Sequence, residues 1–122
     1  MIVTHDPDIA RHGRRSPWHG VCPCGADVVI GTKDAARAWK AEHAYEARRF
    51  ADVNGNIIEK GDVVYALPNF PGPELWKSTP SRPIGLVVVD RGRATVFVTL
   101  PGSKVRCPAP GHTLEIARKG NA

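Results

Sequence analysis

The sequence predicts an α+β protein made of two small modules, a ββα unit over residues 1–50 and a five-stranded β-barrel over residues 51–122. Two observations predict the first module: a Cys-Pro-Cys-Gly turn at residues 22–25, and helical periodicity shortly after it. The second module is predicted from short segments that favour β-strands. These segments recur after residue 50, and each is bounded by turn residues.

The two strands of the ββα unit flank the cysteine turn. Residues 18–22 form a candidate strand that leads into the turn, and residues 27–31 form a returning strand rich in Val and Ile. Residues 1–17 are polar and rich in turn residues, so we expect them to hold at most one short strand, around Ile9.

A helix is predicted from about residue 33 to residue 49. Thr32 is a good N-cap, because its hydroxyl can accept a hydrogen bond from a free N–H of the first turn. One helical face carries apolar and aromatic residues at spacings of three or four, namely Ala36, Trp39, His43 and Ala47.

The turn and the helix together predict a structural Zn²⁺ site. Thiolates and imidazoles are preferred zinc ligands, and Cys22, Cys24 and His43 supply three of them. A closed site needs a fourth ligand, for which the sequence offers His5, His12 and His19. His19 lies three residues before Cys22 and would point to the opposite face of the strand. His12 or His5 could fold back from the preceding segment, and of these two we favour His12.

Two other interpretations of these residues remain. The cysteines could be small apolar residues beside a surface histidine. A catalytic zinc would need an open coordination position and a nearby general base, but no Glu lies next to the turn. No Ser/His/Asp order and no phosphate-binding glycine loop is present. We therefore predict no catalytic residue, no small-molecule substrate and no enzyme activity.

The first module resembles a small zinc-finger family that is common in high-GC bacteria and their phages. The family pattern is Trp-x₃-Cys-x-Cys-Gly followed by an alanine-rich helix ending in Ala-x₂-Ala-Trp-x₃-His. The matching residues are Trp18, Cys22, Cys24, Gly25, Ala35, Ala38, Trp39 and His43. The resemblance covers about residues 12–47 and implies bound Zn²⁺, without implying any one activity.

The second module resembles SH3-like barrels, including the KOW type of ribosomal and transcription-factor domains. The resemblance rests on an Asn54-Gly55 turn, a Gly61-Asp62-x-Val64 element that opens a strand, and a later Gly85-x-Val87. Over residues 52–118, the spacing of the predicted strands and turns is similar to that of these barrels. A shared fold of this kind does not determine function.

A long loop over residues 68–83 with five prolines is the predicted binding surface, because long loops in compact domains are often functional. Phe70 and Trp76 could stack on bases or anchor a protein. Alternatively, these two rings could fold back and cap the barrel core. Basic residues of the loop and of later turns could join the surface, namely Lys77, Arg82, Arg91 and Arg93.

Charge and composition allow a nucleic-acid partner but do not require one. The chain carries a net charge of +5 and has a pI of about 9.5. We expect a cytoplasmic, zinc-binding accessory or regulatory protein of phage type, with no signal peptide and no membrane-spanning segment. The alternative is an adaptor that docks on a host or virion protein through the same loop.

Overall fold

The computed structural model of the chain describes residues 2–11 and 13–120, which form two compact units, Met1–Arg48 and Arg49–Ala122. The described residues are mixed α and β, with one α-helix and two antiparallel sheets. The boundary between the units lies two residues before the one expected from the sequence.

The first unit contains a three-stranded antiparallel sheet. Its strands are β1 (Asp8–Ala10), β2 (Trp18–Val21) and β3 (Asp27–Gly31), with β2 in the centre. The two strands around the cysteine turn are those expected, and β1 is the short strand around Ile9. The unit is therefore βββα in the described residues, and the two-strand zinc-finger pattern accounts for only part of it.

Helix α1 runs over Lys33–Phe50, close to the expected span. The Thr32 hydroxyl accepts a hydrogen bond from the Ala35 N–H at 3.3 Å, so the N-cap is the expected one. Ala36 is fully buried, and Trp39 and His43 on the same face are half-buried. The final residue, Phe50, belongs to the second unit and lies in its apolar core.

The second unit is built on a five-stranded antiparallel sheet. Its strands lie near the expected positions: β4 (Val63–Ala66), β5 (Leu86–Arg91), β6 (Val96–Thr99), β7 (Cys107–Ala109) and β8 (Leu114–Arg118). Their order in the sheet is β7-β6-β5-β4-β8. The apolar core of this unit is formed largely by alternating strand residues, including Val64, Leu86, Val88, Val98 and Leu114.

The expected closed barrel is not seen in the described residues, because β7 and β8 stand at opposite edges of the sheet and do not pair. The residues of β7 explain why that edge stays short. The strand has three residues, and Pro108 within it and Pro110 after it have no N–H to donate to a further strand. The sheet therefore ends at β7.

Two buried carboxylates fix the loops and the last strand of the second unit. Asp52 accepts hydrogen bonds from the N–H groups of Asn54, Asn56 and Ile116 at 2.9–3.0 Å, so it joins the Asn-Gly turn to β8. Asp62 accepts from the Glu59 and Gly120 N–H groups and from the Lys119 ammonium, at 2.7–2.9 Å. Each carboxylate thus replaces water with protein donors.

Within residues 2–11 and 13–120, no helix has both the length and the apolar composition that crossing a bilayer requires.

Replacing Lys119 with Met should destabilise the second unit. The variant leaves the Asp62 carboxylate, which is 1% exposed, without its cation. Because the Lys119 side chain is 35% exposed, we expect a loss of roughly 2–3 kcal/mol of unfolding free energy, below the cost of breaking a fully buried pair. Urea denaturation followed by the amide resonances of β4 and β8 measures it. Lys104→Met, at an exposed position, is the control, and equal urea midpoints for the two variants would contradict this role of Asp62.

Candidate metal centre

The cysteine turn presents both of its thiols to one side. The Gly25 N–H donates to the Cys22 carbonyl and the Cys22 N–H donates to the Ala26 carbonyl, both at 3.0 Å, so the turn is closed at both ends. Gly25 has a φ of 101°, a conformation that side-chain-bearing residues rarely adopt. Cys22 is buried and Cys24 is half-buried.

Helix α1 supplies an imidazole through His43, and Trp39 holds that ring in place. The two rings are stacked, with centroids 4.8 Å apart and planes 13° apart. Trp39 in turn lies against Gly20 of β2, where any Cβ would overlap the indole ring. The glycine therefore lets the helix approach the sheet closely enough for His43 to reach the cysteine turn.

The segment before β1 supplies a second imidazole, that of His5. Asp8 pairs with Val21 in the antiparallel register of β1 and β2. Continuing that register backwards from Asp8 and forwards from Val21 brings residue 5 opposite residue 24, beside the cysteine turn. The pairing of β1, and no local sequence motif, therefore brings His5 to this place.

Four ligand atoms converge at this point, from the residues that we call the His/Cys cluster: His5, Cys22, Cys24 and His43. All four atoms lie within 4.8 Å of one another. His5 Nδ1 is 3.3 Å from His43 Nε2 and 3.7 Å from Cys22 Sγ, and Cys24 Sγ is 3.5 Å from His43 Nε2. These residues lie close enough together to bind a metal ion.

Burial favours the neutral forms of two of these groups. Burial lowers the pKa of His43, and the neighbouring His5 lowers it further. Burial also raises the pKa of the Cys24 thiol, while a hydrogen bond from the Ala26 N–H to the sulfur opposes that rise. A neutral imidazole is ready to bind a metal, and a backbone N–H directed at the sulfur stabilises the thiolate that a metal requires.

The structure answers the question of the fourth ligand in part. His5, one of the three candidates, is in the cluster. His19 is not, because its Nδ1 pairs with Asp27 Oδ1 at 3.1 Å on β3, which agrees with the expectation that it faces away from Cys22. The favoured candidate, His12, lies outside the described residues. The sequence therefore offered His5 among its candidates, and the preference for His12 stays a prediction.

The two aromatic residues of the proline-rich loop do not form a binding surface in this structure. Phe70 is 3% exposed and Trp76 is 7% exposed, and both belong to the apolar core of the second unit. Their proposed stacking role is corrected accordingly: the rings cap the core, which is the alternative that the sequence left open. Transfer of apolar ring area out of water favours this arrangement.

The four predicted partner-binding cations are not equivalent. Lys77 is ion-paired with Glu74 at 2.8 Å. Arg91 donates to the Ile58 carbonyl at 3.2 Å and lies over the Phe50 ring, so it supports the second unit. Arg82 and Arg93 are exposed. Of the predicted set, these two arginines present the most accessible charge to a partner.

No protein-family model, curated protein or solved structure matches the chain. The proposed function therefore rests on the geometry of the His/Cys cluster.

Replacing Gly20 with Ala should displace Trp39 from its stack on His43. The added methyl group overlaps the indole ring, and overpacking of this kind costs about 1–3 kcal/mol. The His43 ring protons should lose the upfield shift that a stacked indole causes, as measured by proton NMR. Ala38→Ser, at an exposed position of the same helix, should leave that shift unchanged. An unchanged shift in the Gly20 variant would show that the close approach is not required.

Proposed function

We propose that the His/Cys cluster binds one structural Zn²⁺ per chain. The spacing of its ligand atoms is the observation that supports this. A tetrahedral zinc with Zn–S of about 2.3 Å and Zn–N of about 2.0–2.1 Å separates two nitrogens by about 3.3–3.4 Å and a nitrogen from a sulfur by about 3.5–3.6 Å. Three of the six distances among the four ligand atoms lie close to these values: 3.3 Å between the nitrogens, and 3.5 Å and 3.7 Å between nitrogen and sulfur.

The donor set favours zinc and a structural role. Two thiolates and two imidazoles suit Zn²⁺, whereas Mg²⁺ and Ca²⁺ prefer oxygen ligands. Four protein ligands fill a tetrahedral shell and leave no position for a substrate or a reactive water. No Asp or Glu of the described residues is among the four ligands of the cluster.

A bound ion would contribute strongly to the folding of the first unit. The unit spans 48 residues, and much of its sheet and helix is exposed. Few residues are available to form an apolar core, and units of this size commonly depend on metals or disulfides. Structural zinc supplies an apparent binding free energy of about 10–16 kcal/mol in small zinc peptides at neutral pH, and binding at a site that exists only when folded stabilises the fold.

For the protein as a whole we propose a non-enzymatic accessory role in which it binds nucleic acid. The net charge of +5 supports this proposal, as does the use of acidic side chains inside the second unit. Asp52 and Asp62 are 4% and 1% exposed and bonded to protein donors, which leaves basic groups such as Arg82 and Arg93 prominent at the surface. Such a surface attracts phosphates.

A protein-interaction adaptor is the second candidate, and one surface of the second unit favours it. A groove of about 420 Å³ is lined in part by Tyr65, Pro68, Pro80 and Pro83. Leu75, which is 73% exposed, lies in the same loop region. Apolar surfaces of this kind are common at protein contacts.

Purified protein should contain one Zn²⁺ per chain, and Cys22→Ser should lower both the zinc content and the folded fraction of the first unit. Removing one thiolate opens the tetrahedral shell, so the amide resonances of β1–β3 should collapse towards random-coil positions while those of β4–β8 persist. Elemental analysis and two-dimensional NMR measure these outcomes.

The matched control for the zinc experiment is Cys107→Ser, which removes a thiol of the second unit and should retain one zinc. Similarly, His5→Ala should weaken zinc binding and His19→Ala should not. If His12→Ala loses zinc and His5→Ala keeps it, the fourth ligand is His12 and not His5. Full zinc content and an unchanged first unit in Cys22→Ser would contradict the site.

Nucleic-acid binding should be steeply salt-dependent. With four phosphate contacts, affinity for a duplex should fall roughly a hundredfold between 50 and 200 mM salt. Fluorescence anisotropy with labelled duplex DNA, duplex RNA and single strands measures the slope. The adaptor alternative predicts no such binding, so failure to bind any of these probes at low salt rules out the nucleic-acid role.

A further inference from the structure

The first unit carries a group of cations organised around Trp18, the first residue of β2. The Arg11 guanidinium carbon lies 5.2 Å from the centroid of the Trp18 ring, and the Lys33 ammonium nitrogen lies 5.6 Å from it. Arg11 follows β1 and Lys33 is the first residue of α1, so the sheet and the helix bring both cations to one aromatic ring. Contacts of this kind hold a cation in place by its attraction to the ring.

Further basic residues lie next to this ring in the chain. Arg14 and Arg15 are exposed in the turn that precedes β2, which is closed by a hydrogen bond from the Ser16 N–H to the Gly13 carbonyl at 3.2 Å. Arg37 is exposed one helical turn after Lys33, on the same side of α1. We call these residues the Trp18 surface: Arg11, Arg14, Arg15, Trp18, Lys33 and Arg37.

The contacts with Trp18 leave the charges of Arg11 and Lys33 available. An ion pair such as Lys40 with Asp8, at 3.5 Å, offsets a cation with an anion, whereas an indole ring carries no net charge. Asp34 is the acidic residue next to Lys33 in α1, and it reduces the net charge at that end of the surface. The five basic side chains named above outnumber the Asp34 carboxylate, so their sum is positive.

We propose that the Trp18 surface binds the phosphate backbone of nucleic acid. The proposal rests on the proposed nucleic-acid role and identifies the Trp18 surface as the part of the protein that makes the contacts. Two cations already lie near the Trp18 ring. We therefore expect this surface to contact nucleic acid through positive charge and positioned hydrogen-bond donors, and not through stacking of Trp18 on a base. Recognition of this kind is independent of sequence, because phosphate contacts carry no direct sequence information.

The surface differs from the one expected at the proline-rich loop. In that loop the aromatic rings are buried and Lys77 is paired with Glu74. Around Trp18, the aromatic ring holds basic groups at the surface. We therefore assign the predominant phosphate contacts to the first unit, and removing charge from the second unit, where Arg82 and Arg93 remain exposed, should matter less.

The test uses full-length, zinc-loaded protein and a labelled random-sequence duplex of 20 base pairs, with binding followed by fluorescence anisotropy across a salt series. The variant is Arg11→Gln/Lys33→Gln, which removes two charges and keeps two polar side chains. The matched control is Lys60→Gln/Lys104→Gln, which removes two exposed charges from the second unit. Two-dimensional NMR and zinc content confirm that both variants are folded.

We expect the Arg11/Lys33 variant to bind at least about tenfold more weakly at low salt, and the magnitude of its salt slope to be smaller by about 1.8, the value for two lost phosphate contacts. The control variant should change the slope by less than half as much. Trp18→Leu should also weaken binding, because it removes the ring that positions the two cations.

Three results would overturn the proposal in distinguishable ways. Wild-type binding that both double variants weaken equally would place the contacts elsewhere and leave the nucleic-acid role standing. No wild-type binding to any nucleic acid at low salt would remove both the role and the surface. Displacement of the duplex by polyglutamate at equal charge concentration would identify a surface for acidic proteins.

Discussion

The arrangement of the first unit depends on one constraint: four ligand atoms from three separate segments meet within 4.8 Å. The cysteine turn, the helix and the segment before β1 each contribute to this point. Because two thiols and two imidazoles gain little from mutual contact in water, the proposed cation bound by all four would explain why they converge. Gly20 and Trp39 set the helix at the distance that this convergence needs.

The sequence predicted three of the four cluster residues because they belong to consecutive local elements. Cys22 and Cys24 share one turn, and His43 follows at helical spacing behind Trp39. His5 could not be singled out in this way. Its position depends on the antiparallel pairing of β1 with β2, and a three-residue strand with ordinary composition leaves little trace of its register in the sequence.

The second unit was predictable in its strands and less so in its closure and its loop. Alternation and turn residues identified all five strands, since each depends on local pattern. Whether β7 ends the sheet depends on which strands pair with it. The two prolines at β7 are compatible with several pairings, so the sequence alone does not select one. The burial of Phe70 and Trp76 depends on space left by the rest of the core, which no local pattern encodes. Unlike the first unit, this one combines a substantial apolar core with bonded carboxylates.

X-ray absorption at the zinc edge, on protein loaded with one equivalent of Zn²⁺, tests the central claim most directly. The account predicts a four-coordinate shell of two sulfurs at about 2.3 Å and two imidazole nitrogens at about 2.0–2.1 Å. A shell without sulfur, a single sulfur, or a six-coordinate shell of oxygen and nitrogen would contradict it.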